Sequence, residues 1–225
     1  MTDYKVLDLF CGLGGFSAAF EDSGRWEVTT VDLNAEFDPD IVADVFDLRP
    51  SDFASDFDVV LASPPCTQFS FAASSLERFV DGEPQTDDAK DAVALVYHTK
   101  GLIRGLNPQY WFMENPQGWL RHVIARPTAR VTYCQYGTDY MKPTDLWGDH
   151  PQGLTYRSCS HGSNCHTTNR DGDHGGKGNC DVIGDTAAER SLVPYELSES
   201  IRDACESGLD GTAPEQTELP VIIND

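Results

Sequence analysis

The chain has 225 residues, 40% hydrophobic and 24% charged, a globular composition with room for one substantial domain and a small insertion but not for two full domains. No apolar run approaches the roughly 20 residues that cross a bilayer, and the opening "MTDYKVLDLF" lacks the layout of a secretion signal, so a soluble, cytoplasmic protein without a membrane partner is expected. Against 37 Asp and Glu stand 16 Lys and Arg, a formal net charge of −21, which ordinarily argues against a polyanionic partner but equally fits a surface adapted to concentrated salt, where at about 1 M the screening length falls to roughly 3 Å, so charge alone does not decide the partner.

The first predicted strand, "YKVLDLF", runs into a glycine-rich turn, "CGLGGFS", and the start of a helix. In a doubly wound sheet such a turn lets a ligand press against bare backbone. Gly12, Gly14 and Gly15 do not match the G-x-G-x-x-G pattern, so pyrophosphate is not the natural ligand. A second strand, "WEVTTVD", ends on Asp32, at the separation where an acidic side chain holds ribose hydroxyls. The alternative is a turn that serves packing and an aspartate that caps a helix.

The third strand, "DVVLAS", stops at Pro64-Pro65, with Cys66 in the turn beyond. The prolines fix φ and stiffen that turn. Ligands of open α/β sheets bind beyond such strand ends, and a helix N-terminus or a cation there depresses a thiol pKa. A lone cysteine is otherwise more often a buried small hydrophobe, and Cys11, in the glycine turn, lacks the rigid platform.

"DDAKDAVALVYHTKGLIRGL" has helical periodicity through Val93, Val96, Leu102 and Leu106. Asp87 and Asp88 suit its first turn, and Asn107-Pro108 ends it. The strand "YWFMEN" then brings Glu114 and Asn115 to the same sheet edge, where burial would raise the carboxyl pKa and let it share a proton. An exposed glutamate at a strand end is the plainer alternative. "RVTYCQY" is the last predicted strand. Strands alternating with helices indicate an α/β domain with a mostly parallel sheet.

From about Trp147 the chain is rich in Gly, Asn, Asp and His, with hardly any aliphatic periodicity, and reads as a loop-dominated insertion. An amphipathic helix, "PYELSESIRDACESG", returns to the fold before an acidic tail. The expected organisation is a catalytic-type domain over 1–147 plus 190–207, an insertion over 148–189 and a tail over 208–225. Seven scattered cysteines make a disulfide framework unlikely to be the organising device in a reducing cytosol. Cys159, Cys165 and Cys180 with His161, His166 and His174 carry zinc-type ligand atoms, but C-x5-C is not a standard pair, so no metal is assigned.

Three of these pieces, in this order, resemble the cytosine-5 DNA methyltransferases. "DLFCGLGGFS" looks like that family's cofactor turn, "SPPCTQFS" like its proline-cysteine nucleophile loop, and "ENP" like its Glu-Asn-Val element. "CQYGTDYMKPTDLWG" and "VPYELSESI" look like weaker, later elements. The resemblance implies a Rossmann-like S-adenosylmethionine-dependent fold and methyl transfer to carbon 5 of cytosine in DNA through a covalent cysteine adduct. By matching position, Cys66 is the nucleophile, Glu114 stabilises protonation at ring nitrogen 3, and Asn115 and Pro65 shape the pocket. Phe10 lies on the adenine, Gly12, Leu13, Gly14 and Gly15 line the amino-acid end, Asp32 holds the ribose, and Asp44 and Val45 meet the adenine edge.

The chain departs from the pattern at three places. Thr67 stands where the family usually has Gln, with Gln68 one place later, and Pro116 replaces Val. "QYGTDYMKPT" replaces an arginine-rich element and leaves Lys142 as the cation expected at the base. These departures resemble a compact, viral-like branch, and the insertion stands where the family keeps its sequence-reading domain. Arg121, Arg126, Arg130 and Lys142 are the cations expected to meet DNA. Two other readings stay open: a non-catalytic DNA-binding or regulatory protein on the cofactor fold, and a methyltransferase acting on RNA or a free nucleotide. The sequence does not specify the oligomeric state.

Overall fold

A computed structural model describes residues 3–54, 56–70, 78–160, 162–166 and 187–212. The uninterrupted apolar run Val59–Ala62 forms a strand with every side chain buried, as strands covered on both faces do. Val59 and Leu61 join one core with Val6, Phe112 and Val131, while Val60 and Ala62 join the other with Leu7, Leu9 and Met113. The period-2 alternation of side chains thus feeds two cores, one on each face of a single sheet.

Strands β1 (Tyr4–Leu9), β2 (Trp26–Asp32), β3 (Ile41–Val42), β4 (Val59–Ala62) and β7 (Tyr110–Pro116) run parallel, and β9 (Pro143–Asp149) is antiparallel to both β7 and β8 (Ala129–Thr132). The order across the sheet is β3-β2-β1-β4-β7-β9-β8. A small hairpin, β5 (Phe79–Val80) with β6 (Glu83–Pro84), stands apart from it. The order reverses at β1 and β4, and the crevice beyond their carboxyl ends is where open α/β sheets bind ligands.

Helix α2 (Asp87–Leu106) covers one face with Val96, Leu102 and Ile103. Thr86 caps it by accepting a hydrogen bond from the Ala89 amide, and Asn107 ends it at φ 53, so the predicted helix has the observed limits. The other face carries α1 (Ala18–Ser23) and α5 (Tyr195–Leu209), which bury Phe20, Leu197 and Ile201. Each such fully buried side chain contributes about 1.5–3 kcal/mol. Ser198 Oγ donates to the Phe16 carbonyl at 2.6 Å and accepts from the Ala19 amide at 3.2 Å, which fixes α5 against the end of the glycine turn. A Cβ on Gly15 would lie 2.7 Å from the Val193 carbonyl oxygen, so this approach requires glycine.

Two expectations are corrected. "RVTYCQY" is a strand only to Thr132. Tyr133–Tyr136 then form a 3-10 turn that stops at Gly137, φ 90. Strand β9 was not anticipated: it begins at a proline and carries two polar residues, Thr144 and Asp145, that are nevertheless fully buried. The remaining α-helices among the described residues are short, α3 (Leu120–Val123) and α4 (Ala187–Ser191). Among the described residues no helix is long and apolar enough to cross a membrane. Residues 167–186 of the expected insertion and 213–225 of the expected tail lie outside the described residues, and with them His174 and Cys180, as does His161.

Candidate active site

A cavity of about 690 Å³ opens beyond the carboxyl ends of β1, β2, β4 and β7. On the β1 side it is lined by Phe10, Gly12, Leu13 and Gly15. Phe10 holds φ 62, with Gly12 and Gly14 at 52 and 76. A left-handed non-glycine residue costs about 1–3 kcal/mol and persists where surroundings enforce it. Gly14 does not line the cavity; its amide donates to the Cys11 carbonyl at 2.8 Å and closes the turn.

Asp32 lies at the end of β2, against the same turn. Its Oδ2 accepts from the Gly12 amide at 3.0 Å and its Oδ1 from the Asn34 amide at 2.9 Å. A carboxylate oxygen has two lone pairs, so each retains capacity for a ligand hydroxyl. Asp44 and Val45 form the adjoining wall, where Asp44 Oδ1 accepts from the Phe46 amide at 2.9 Å and caps the 3-10 turn Val45–Asp47. Leu13, Leu33 and Phe46 are exposed large hydrophobics lining this space, an apolar slot with a few convergent polar groups. The turn, slot and carboxylate therefore fit the shape and polarity of S-adenosylmethionine.

On the β4 and β7 side the cavity is lined by Pro65, Cys66, Glu114 and Lys142. The Cys66 carbonyl accepts from the Phe69 and Ser70 amides at 2.9 and 3.0 Å, a turn that follows the two prolines. Asn115, fully buried and behind the cavity wall, donates its side-chain amide to the Pro64 carbonyl at 2.9 Å. Glu114 is 4% exposed, so the exposed-glutamate alternative is excluded. Its Oε1 accepts from the Tyr133 hydroxyl at 2.8 Å and lies 3.9 Å from Lys142 Nζ. The Lys142 ammonium also stands 4.5 Å over the Tyr133 ring.

Burial pushes the Glu114 carboxyl above its ordinary value, while Lys142 and the Tyr133 hydrogen bond pull it back. The Cys66 thiol is likewise raised, first by burial and then by Glu114, with Lys142 opposing. A raised thiol keeps its proton until something displaces the balance. Cys11, the other thiol lining the cavity, is pushed to about 12 by burial and by Asp8 and Asp32, and is the poorer nucleophile.

Two further buried polar side chains stand out, of which Tyr133 supports the site. Tyr133 was placed in a strand, yet the 3-10 turn aims its hydroxyl at Glu114. Asp8, fully buried in β1, accepts from Ser17 Oγ at 2.8 Å and is raised by burial to about 7. The signal for Asp8 is visible in the chain: a carboxylate inside a continuous apolar run. Arg121, expected to meet DNA, instead grips the fully buried Asp145 through Nε at 2.9 Å and through a second guanidinium nitrogen. Arg126 and Arg130 are exposed.

A parallel sheet with an antiparallel strand inserted near one edge, a glycine turn after the first strand and an acid after the second defines a Rossmann-like S-adenosylmethionine-dependent methyltransferase. The model for the C-5 cytosine-specific DNA methylase family matches residues 4–128, and the chain belongs to that family. It is 29% identical over 221 residues to the "Probable DNA (cytosine-5)-methyltransferase" of Frog virus 3 (isolate Goorha), an alignment covering 89% of this chain and 100% of the viral one. The Type II methyltransferases M.HaeII of Haemophilus aegyptius and M.NgoBI of Neisseria gonorrhoeae are 28% and 35% identical over 54% and 57% of this chain. The chain spans 37% and 39% of those bacterial proteins.

Proposed function

We propose that this chain methylates carbon 5 of cytosine in DNA, with Cys66 as nucleophile, Glu114 as the group at ring nitrogen 3 and Lys142 as the cation that balances both. The observation that carries the reading is the meeting of Cys66, Glu114 and Lys142 in the one cavity that the glycine turn and Asp32 also line. Carbon 5 of cytosine in the intact aromatic ring is too weakly nucleophilic to be methylated unaided; addition of a thiolate at carbon 6 converts the ring into a nucleophilic enamine. S-adenosylmethionine, when bound, supplies the electrophilic methyl group.

Cys66 forms the bond to carbon 6 as its thiolate, and once carbon 5 carries the methyl group, loss of the carbon-5 proton restores the double bond and expels the sulfur, which the prolines hold against the pocket. Glu114, with its carboxyl raised by burial, holds a proton toward ring nitrogen 3 and so draws off the charge that addition places on the ring. Lys142 favours the thiolate as well as the carboxylate, which is why a single buried cation serves where an arginine-rich element is missing. Asn115 ties the two halves together through Pro64. Phe10, Leu13 and the glycine turn would enclose the donor, Asp32 would accept from its ribose, and Asp44 and Val45 would border its base. In duplex DNA the target cytosine must leave the stack, at a cost of a few kcal/mol recovered in the pocket.

The full-length match to the viral relative supports a compact form in which residues 148–189 replace a large sequence-reading domain. The acidic surface supports a protein that works in concentrated salt, where DNA contact leans on base flipping and on local cations such as Arg126 and Arg130. Bisulfite sequencing of DNA incubated with the protein and S-adenosylmethionine tests the proposal, and protected cytosines in a defined context are the expected result. Unprotected DNA alongside methylated RNA or nucleotide would replace the substrate assignment.

A further inference from the structure

Outside the cavity, four side chains with metal-ligating atoms converge. Cys134 sits in the buried 3-10 turn Tyr133–Tyr136, while Cys159, Cys165 and His166 come from the start of the insertion. Their sulfur and nitrogen atoms all lie within 4.8 Å of one another. The Cys134 and Cys159 sulfurs are 3.2 Å apart, Cys165 and Cys134 3.8 Å, Cys165 and His166 Nδ1 3.4 Å, and Cys159 and His166 Nδ1 3.8 Å. A tetrahedral zinc ion with Zn–S of about 2.3 Å and Zn–N of about 2.0 Å spaces its ligands by roughly 3.5–3.8 Å. The observed separations scatter about that value, and a disulfide, with sulfurs at about 2.05 Å, does not account for them.

We propose that Cys134, Cys159, Cys165 and His166 bind one zinc ion in a closed, structural Cys3His site. The C-x5-C spacing alone did not reveal it, because the first ligand comes from the catalytic domain and the fourth is the residue directly after Cys165.

The backbone holds this arrangement from both sides. The Cys159 amide donates to Thr132 Oγ1 at 2.8 Å, the Thr132 amide to the Arg157 carbonyl at 3.2 Å, and the Arg157 amide to the Tyr136 hydroxyl at 2.9 Å. The Arg157 guanidinium lies 4.2 Å over the Tyr136 ring. A segment with hardly any aliphatic side chains cannot build a core of its own, and a metal supplies the missing free energy. Thiolate-rich tetrahedral sets favour zinc over the oxygen-seeking cations. The ion would clamp the insertion beside Tyr133, whose hydroxyl supports Glu114.

The test uses the full chain, purified under reductant without chelator from zinc-supplemented cells, with metal content measured by plasma mass spectrometry. One zinc per chain is expected, lost in Cys165→Ser and in His166→Ala, and kept in Cys180→Ser. Because a variant can lose zinc by misfolding, the parent protein is also exchanged into cobalt, which should give the visible bands of a tetrahedral, thiolate-bound ion. Zinc-free parent protein, octahedral cobalt spectra, a Cys134–Cys159 disulfide recovered by peptide mapping, or zinc retained without Cys165 and His166 would each overturn the assignment.

Discussion

The side-chain amide of Asn115 donates to the carbonyl of Pro64 at 2.9 Å, a bond that ties the strand bearing Glu114 to the turn bearing Cys66. Asn115→Ala leaves the Pro64 carbonyl without this donor and lets the two reacting groups move apart. The expected loss is about 1–3 kcal/mol of stability, together with a fall in methylation rate while S-adenosylmethionine affinity is kept. Chemical denaturation, single-turnover methylation and calorimetry on the same variant separate these effects. Unchanged stability and rate would show that the bond positions nothing.

The electrostatics of the pocket set the reactivity of Cys66 in the free protein. Burial first and Glu114 second raise the Cys66 thiol, and Lys142 lowers it. At pH 8.5, below a raised thiol pKa, any change that lowers this pKa enlarges the thiolate fraction. Alkylation of Cys66, followed by peptide mass spectrometry, is therefore expected to be severalfold faster in Glu114→Gln and slower in Lys142→Met. Methylation should fall in both. Opposite signs would mean that the two charges do not act on the sulfur.

Asp32 holds the Gly12 amide of the glycine turn, and on the proposed reading it also accepts from the cofactor ribose. Asp32→Ala removes the acceptor of the Gly12 amide and of the ligand hydroxyls, and should weaken S-adenosylmethionine binding by about 1–3 kcal/mol, roughly 5- to 150-fold in Kd. Calorimetry with the cofactor alone is sufficient, and an unaltered affinity would remove Asp32 from the site.

Salt should act in the reverse of its usual direction on a DNA enzyme. With a net charge of −21, screening relieves carboxylate repulsion, so melting temperature and methylation rate are expected to rise together from dilute buffer to molar potassium chloride. An enzyme held to DNA by lysines and arginines loses affinity steeply over that range. A melting temperature that falls with salt, and activity best in dilute buffer, would remove the salt-adapted reading.

Local pattern was enough where burial alone decides the structure. Val59–Ala62 reads as a strand because both its faces are covered, and α2 has its observed ends because Thr86, Asp87 and Asn107 are local signals. The turn bearing Cys66 was legible because proline acts on its own backbone. What escaped depends on distant partners. Strand β9 hides because Asp145 is polar in sequence, and the Arg121 guanidinium that partners it in the interior lies 24 positions away. Arg121 looked free for DNA for the same reason. Tyr133 became part of the site through a 3-10 turn within a β-like run, and Cys134 met its fellow ligands only once the chain had passed β9 and returned.

The central claim is that Cys66 forms the bond to cytosine, and the most direct measurement is intact-mass analysis of the protein after incubation with S-adenosylmethionine and duplex DNA carrying 5-fluorocytosine. Fluorine at carbon 5 cannot leave as a proton does, so a Cys66 adduct cannot be released after methyl transfer. The expected result is a stable protein–DNA complex heavier by one methyl group, with the link mapped to Cys66 and no complex from Cys66→Ala. No complex from the parent protein, or the same complex from Cys66→Ala, would contradict the account.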